Sequence, residues 1–130
     1  MSDVASLRIM VVDDAALVRL YYRSVLEPAG YVVDDALNGL EALEKLTGQE
    51  VQLLIVDINM PVMDGLTFLR LLRRRAEPFA ATPALVTSTE AGPQDRKAAE
   101  MAGANFYACK PVAAEDLLEI ASLLAGGVGA

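Results

Sequence analysis

Histidine is missing from the sequence altogether, and cysteine occurs once, at Cys109. Without histidine the chain has no zinc site of the usual kind, no Ser–His or Cys–His catalytic pair, and no means of carrying a phosphohistidine itself. A lone cysteine forms no internal disulfide, which fits a reducing, cytoplasmic setting. Its apolar flanks predict a buried, inert thiol. Long hydrophobic runs are also lacking. Val51–Val56 and the stretch around Leu117–Leu118 fall far short of the ~20 residues that span a bilayer, so no membrane insertion is expected. The opening Met1-Ser2-Asp3 is acidic and lacks the basic-then-apolar pattern of a secretory signal. Positive charge is scarce, and the net charge is −7, which repels phosphates and argues against nucleic acid as a partner. Arg70, Arg73, Arg74 and Arg75 are the local exception and read as a solvated helix face. Neither G-x-G-x-x-G nor the P-loop pattern occurs, which excludes the common nucleotide-phosphate cradles.

What is present is a chain of 130 residues, 54% apolar and 22% charged. That composition predicts one globular domain over 1–130, able to fold without disulfide or structural metal. Short apolar runs at Leu7–Val12, Tyr31–Val33, Val51–Val56, Ala84–Val86 and Phe106–Cys109 alternate with segments of helical period. Runs dense in Val, Ile and Leu suit strands buried on both faces of a parallel sheet. In Ala15–Glu27 the residues Val18, Tyr21, Tyr22 and Val25 form one apolar stripe, and Pro28 with Gly30 stops that helix. A second clear helix opens at Asp64-Gly65, with Asp64 as N-cap, and runs to Arg75. Gly92–Ala102 ends at Gly103, and Ala113–Leu124 precedes a Gly-rich end. Five such units predict an α/β fold, a (βα)₅ doubly wound five-stranded parallel sheet.

In doubly wound sheets the site lies beyond the carboxyl ends of the strands. The residues there are Asp13 and Asp14, Asp57, Ser88 and Lys110. Three carboxylates on one edge repel one another and call for a cation. Hard oxygen ligands with room for water suit Mg²⁺. Its two charges and that of Lys110 balance the three carboxylates, and an aspartyl phosphate would add about one further negative charge. The site suits phosphoryl chemistry.

Four motifs carry a resemblance to a known family: Met10-Val-Val-Asp13-Asp14, Leu54-Ile-Val-Asp57-Ile-Asn-Met-Pro61-Val-Met-Asp64-Gly65, Val86-Thr-Ser88-Thr-Glu90, and Gly103-Ala-Asn-Phe-Tyr107-Ala-Cys-Lys110-Pro111. Over essentially its whole length the chain resembles the CheY-like receiver domains of response regulators. The resemblance implies a flavodoxin-like strand order of 2-1-3-4-5. It implies Asp57 as phosphoacceptor, Asp14 and Asp57 as Mg²⁺ ligands, Asp13 acting through water, and the Asn59 backbone carbonyl completing the protein ligands. Lys110 would pair with phosphoryl oxygens, and Lys110-Pro111 would be a cis peptide. Asn59 and Glu90 flank the site as in the chemotaxis regulators of the family and would tune dephosphorylation. That flanking pair makes chemotaxis the leading pathway, and the implied partners are a histidine kinase or histidine phosphotransfer protein and a downstream target protein.

Some positions stay open. The switch hydroxyl is Ser88 or Thr87; the strand length from Pro83 and the ungapped run back from Lys110 favour Ser88. Tyr107 is either the aromatic partner of that switch or an ordinary aromatic of the last strand. Thr89 stands where the family usually keeps Ala or Gly, which narrows phosphoryl access. Ala15-Ala16 leaves the first helix without a good side-chain cap. Leu17 and Leu20 lie off the apolar stripe and either pack under a loop or form an apolar patch for a kinase. A haloacid-dehalogenase-type phosphatase would need a general acid two residues past Asp57, where Asn59 stands, so enzymatic turnover is not expected. A phosphorelay intermediate, a phosphate sink, a scaffold, or a receiver cut from a larger regulator or hybrid kinase are the alternatives. No Lys or Arg follows Lys110, which points to a monomer.

Overall fold

Strands form where β-branched and aliphatic residues cluster, and helices fill the gaps between them. A computed structural model describes residues 7–89 and 92–126. Its strands are β1 (Arg8–Val12), β2 (Val32–Ala36), β3 (Leu53–Asp57), β4 (Ala84–Ser88) and β5 (Phe106–Cys109); its helices are α1 (Ala16–Leu26), α2 (Gly39–Leu46), α3 (Gly65–Arg73), α4 (Pro93–Ala102) and α5 (Ala114–Ala125). The strands pair in parallel in the order β2-β1-β3-β4-β5, the order that the resemblance implies. No helix among the described residues is long and apolar enough to cross a membrane.

Side chains alternate across the sheet and so supply two cores. On one face Met10, Leu54 and Val86 meet α2, α3 and α4 through Leu46, Phe68 and Ala99. On the other, Ile9, Ile55 and Leu85 meet α1 and α5 through Tyr22, Leu26 and Leu117. Each large aliphatic side chain fully withdrawn from water contributes roughly 1.5–3 kcal/mol, which fixes the central strands and with them the two strand ends, of β1 and β3, that carry the three acids.

The element limits differ from the expected ones for physical reasons. β2 begins after Tyr31 and runs on through Asp34 and Asp35, which apolar runs do not reveal. It is an edge strand, so its acids face cations: Arg8 Nη1 meets Asp34 at 2.9 Å, and Arg19 and Arg23 meet Asp35 at 3.6 and 3.5 Å. α1 runs into a 3₁₀ turn at Glu27–Ala29, and Gly30 closes it at φ 105°. α2 opens at Asn38, whose side chain accepts from the Glu41 N–H. Asp64 caps α3 by accepting from the Thr67 N–H at 2.8 Å. That helix ends at Arg73, not Arg75, and the Arg73 guanidinium turns inward to the carbonyls of Gly103, Ala80 and Thr82. The arginine cluster is therefore not uniformly a solvated face. Ala15 heads α1 without a side-chain cap, as expected.

The turn between β3 and α3 is tight. Val62 sits at φ 70°, and the Met63 N–H reaches the Pro61 carbonyl at 2.7 Å. Lys110-Pro111 is cis, and so is Glu77-Pro78, which nothing in the sequence had singled out.

Candidate functional site

Each of the three acids owes its place to a strand end. β1 and β3 are adjacent in the sheet, with Val12 beside Val56, so Asp13, Asp14 and Asp57 emerge side by side. Their ligand oxygens all lie within 4.8 Å of one another. Asp13 and Asp57 are buried and Asp14 is exposed. Lys110, one residue past β5, reaches back with its ammonium 2.7 Å from Asp13 Oδ2 and 3.0 Å from Asp57 Oδ1. Its backbone N–H is held by the Ser88 carbonyl at 2.8 Å.

The electrostatics follow from that crowding. Burial raises the Asp57 carboxyl above the ordinary range; the Lys110 hydrogen bond opposes this, and Asp13 and Asp14 push it further up. Burial works against the Lys110 charge, yet hydrogen bonds and charges from Asp13 and Asp57 outweigh it, and its pKa is raised. One lysine does not satisfy three carboxylates. The donor set fits a hard divalent cation that keeps several waters. Asp13 has both oxygens engaged, Oδ1 by the Ala15 N–H at 2.9 Å and Oδ2 by Lys110, which suits contact with a cation through water. The Asp14 carboxylate makes no hydrogen bond among the described residues and is open to ligate directly. Asn59 is exposed in the loop two residues past Asp57.

Comparison with known proteins agrees with this geometry. The model of the response regulator receiver domain matches residues 9–122. The chain belongs to this family. It is 37% identical over 124 residues to the sensory/regulatory protein RpfC of Xanthomonas campestris pv. campestris, covering 94% of this chain and 17% of that protein. It is 40% identical over 113 residues to response regulator MprA of Mycobacterium ulcerans, covering 87% of this chain and 47% of that one. The chain thus spans less than half of either relative. Among solved structures, the chemotaxis response regulator CheY4 of Vibrio cholerae superposes with a TM-score of 0.85 at 32% identity, covering 92% of this chain and 98% of that one.

Within this receiver, sheet parity separates the two candidate hydroxyls. Tyr107 pairs with Val86, so Ser88, two residues on, shares their face, the α4 side. Thr87 faces the other way, toward α1. Its hydroxyl lies 3.5 Å from the Val56 carbonyl, and it hydrogen-bonds Tyr22, whose phenol burial raises. Both hydroxyl residues are buried. Tyr107 is already buried at 7% exposure, with the Arg96 guanidinium 5.1 Å from its ring centroid. Thr89 is exposed just past Ser88, and Glu90 lies outside the described residues. Cys109 is half-buried rather than buried.

Leu17 and Leu20 do not pack under a loop: they are 80% and 61% exposed. A groove of about 500 Å³ runs between α1 and the segment after Lys110, with Leu17, Tyr21 and Pro111 on its walls. Two contacts escaped the sequence. Arg19 donates to the Asp13 carbonyl at 2.8 Å, and Tyr21 donates to the Val112 carbonyl at 2.6 Å. A count of apolar positions treats tyrosine as a ring and is blind to its hydroxyl.

Proposed function

We propose that this receiver is a phosphoacceptor switch of a two-component pathway, taking a phosphoryl group onto Asp57. The observation that carries the reading is the Lys110 ammonium set between Asp13 and Asp57 in a cluster of three carboxylates. The donor is a phosphohistidine on a histidine kinase or phosphotransfer protein, since this chain has no histidine. An Asp57 carboxylate oxygen forms the new P–O bond while the P–N bond of the donor breaks, and the imidazole leaves with the electron pair. Asp13, Asp14, Asp57 and the Asn59 carbonyl would hold Mg²⁺, which when bound supplies positive charge to the phosphoryl oxygens. Lys110 offsets the added negative charge and orients the acceptor. Leu17 and Leu20 give the donor an apolar surface beside the site. Asn59, an amide and not a carboxylic acid, stands two residues past Asp57, which supports an acceptor rather than a turnover enzyme of the haloacid-dehalogenase type.

Sheet parity supports Ser88 as the switch hydroxyl and Tyr107 as its aromatic partner, with a downstream protein reading the α4–β5–α5 surface. Likeness to the Vibrio chemotaxis regulator favours a chemotaxis output; the varied names of the relatives leave it the finer part of the proposal. The Tyr107 ring, buried before any phosphorylation, favours a second reading, an acceptor that serves as phosphorelay intermediate or phosphate sink with little change of surface.

One experiment tests both. With Mg²⁺ and a small phosphodonor, mass spectrometry is expected to find modification at Asp57 alone, and Asp57→Asn is expected to abolish it. Full modification of that variant at another residue overturns the assignment. With beryllofluoride saturating Asp57, the Tyr107 ring signals followed by NMR are expected to shift; an unchanged ring selects the sink reading.

A further inference from the structure

We propose that Tyr21 is a positioning residue for Lys110, acting from α1 on the segment that follows the lysine. The inference rests on the phosphoacceptor reading and adds a residue outside the acidic cluster. Tyr21 donates its hydroxyl to the Val112 carbonyl at 2.6 Å, joining residues 91 positions apart. Val112 stands two residues past Lys110 and is buried. No side chain caps the start of α5 at Ala113, so this stretch lacks the local tie that usually fixes a helix entry. Among the described residues the Tyr21 bond is the one hydrogen bond between α1 and the Lys110–Ala113 segment.

Lys110 therefore hangs between two anchors. On the β4 side its backbone N–H is held by Ser88, and on the α1 side Tyr21 holds Val112. The ammonium must meet two carboxylates at once, at 2.7 and 3.0 Å, and such geometry is lost with shifts well under an ångström. Burial alone does not explain the hydroxyl. Tyr21 is 36% exposed, so water would satisfy its phenol, and a phenylalanine would fill the same apolar position. The ring is set by Tyr22, with centroids 5.8 Å apart and planes tilted by 48°. Tyr22 is itself buried and hydrogen-bonded with Thr87 at the end of β4. The tyrosine pair thus ties α1 to the ends of β4 and β5, the two strands that follow β3 in the sheet on the Lys110 side of Asp57.

The test is beryllofluoride binding at saturating Mg²⁺ by wild type, Tyr21→Phe, Lys110→Ala and the double variant. Tyr21→Phe is expected to keep its Mg²⁺ affinity, to melt no more than a few degrees below wild type, and to lose beryllofluoride affinity about fivefold through the displaced Lys110 ammonium. Its Lys110 side-chain NMR signals are expected to move. In the Lys110→Ala background the same change is expected to have no further effect, because a residue acting through Lys110 has nothing left to act on. An unchanged affinity in Tyr21→Phe, or an equal loss with and without Lys110, overturns the inference while leaving the phosphoacceptor reading in place. Wild-type protein that takes no beryllofluoride overturns that reading and this inference with it.

Discussion

Asp57 ends β3 where burial penalises its charge, Lys110 partly restores it, and Asp13 and Asp14 penalise it again. A carboxyl raised in this way binds its proton more firmly in the folded chain than in the unfolded one. Its favourable contribution is therefore present below the unfolded pKa, about 3.9, and is lost as pH rises through the folded value. Without Mg²⁺, Asp57→Asn is expected to be more stable than wild type at pH 7, with the advantage disappearing by about pH 3. Urea unfolding at the two pH values checks this; an advantage that grows toward acid contradicts the sign. The acids themselves were legible in the sequence, because a buried run followed by Asp is a strand end and strand ends converge. The hydroxyls of Tyr21 and Tyr22 and the reach of Arg19 were not, because what they bond is 91 positions away for Tyr21 and is a backbone carbonyl for Arg19.

At the level of elements, the junction of β3 with α3 is the tightest part of the site. A Cβ at Gly65 would stand 2.2 Å from the Asp57 carbonyl oxygen and 2.9 Å from Val56 Cγ1. Neither neighbour can yield without moving the strand end that bears Asp57. Gly65→Ala is expected to cost about 1–3 kcal/mol and to weaken Mg²⁺ binding together with stability; a urea midpoint equal to that of wild type would contradict the close approach. The Asp64-Gly65 pair was readable as a helix start, whereas the reason for that glycine lies across the turn on another element. β2 was read short for a related reason. Its acids are tolerated at an edge, and an edge is a property of strand order that the sequence of one strand does not carry. The inward turn of Arg73 likewise depends on where α4 ends, at Gly103.

For the molecule as a whole, the alternation of apolar runs and helical segments was enough to place the sheet, because central parallel strands must be apolar on both faces. Strand order came from the resemblance and stands in the structure. Glu115, Asp116 and Glu119 are exposed on α5, and no Lys or Arg follows Lys110. Self-association through α4, β5 and α5 is expected to be weak, since α5 offers three acids and no cation of its own, leaving Arg96 and Lys97 of α4 as the exposed cations of that face among the described residues. Sedimentation with and without beryllofluoride checks it, and a firm dimer through that face overturns it. The end of β4 has one more consequence. Thr87 and Ser88 are neighbours in sequence, yet the sheet lies between their hydroxyls, one turned to α1 and the other to α4. A single phosphoryl group would thus stand on a ridge with two slopes, its supplier approaching up one and its listener waiting on the other. Under the proposed function, arrival and readout need not take turns: a donor seated against α1 would leave the far slope clear, and the message could be heard before the messenger has left.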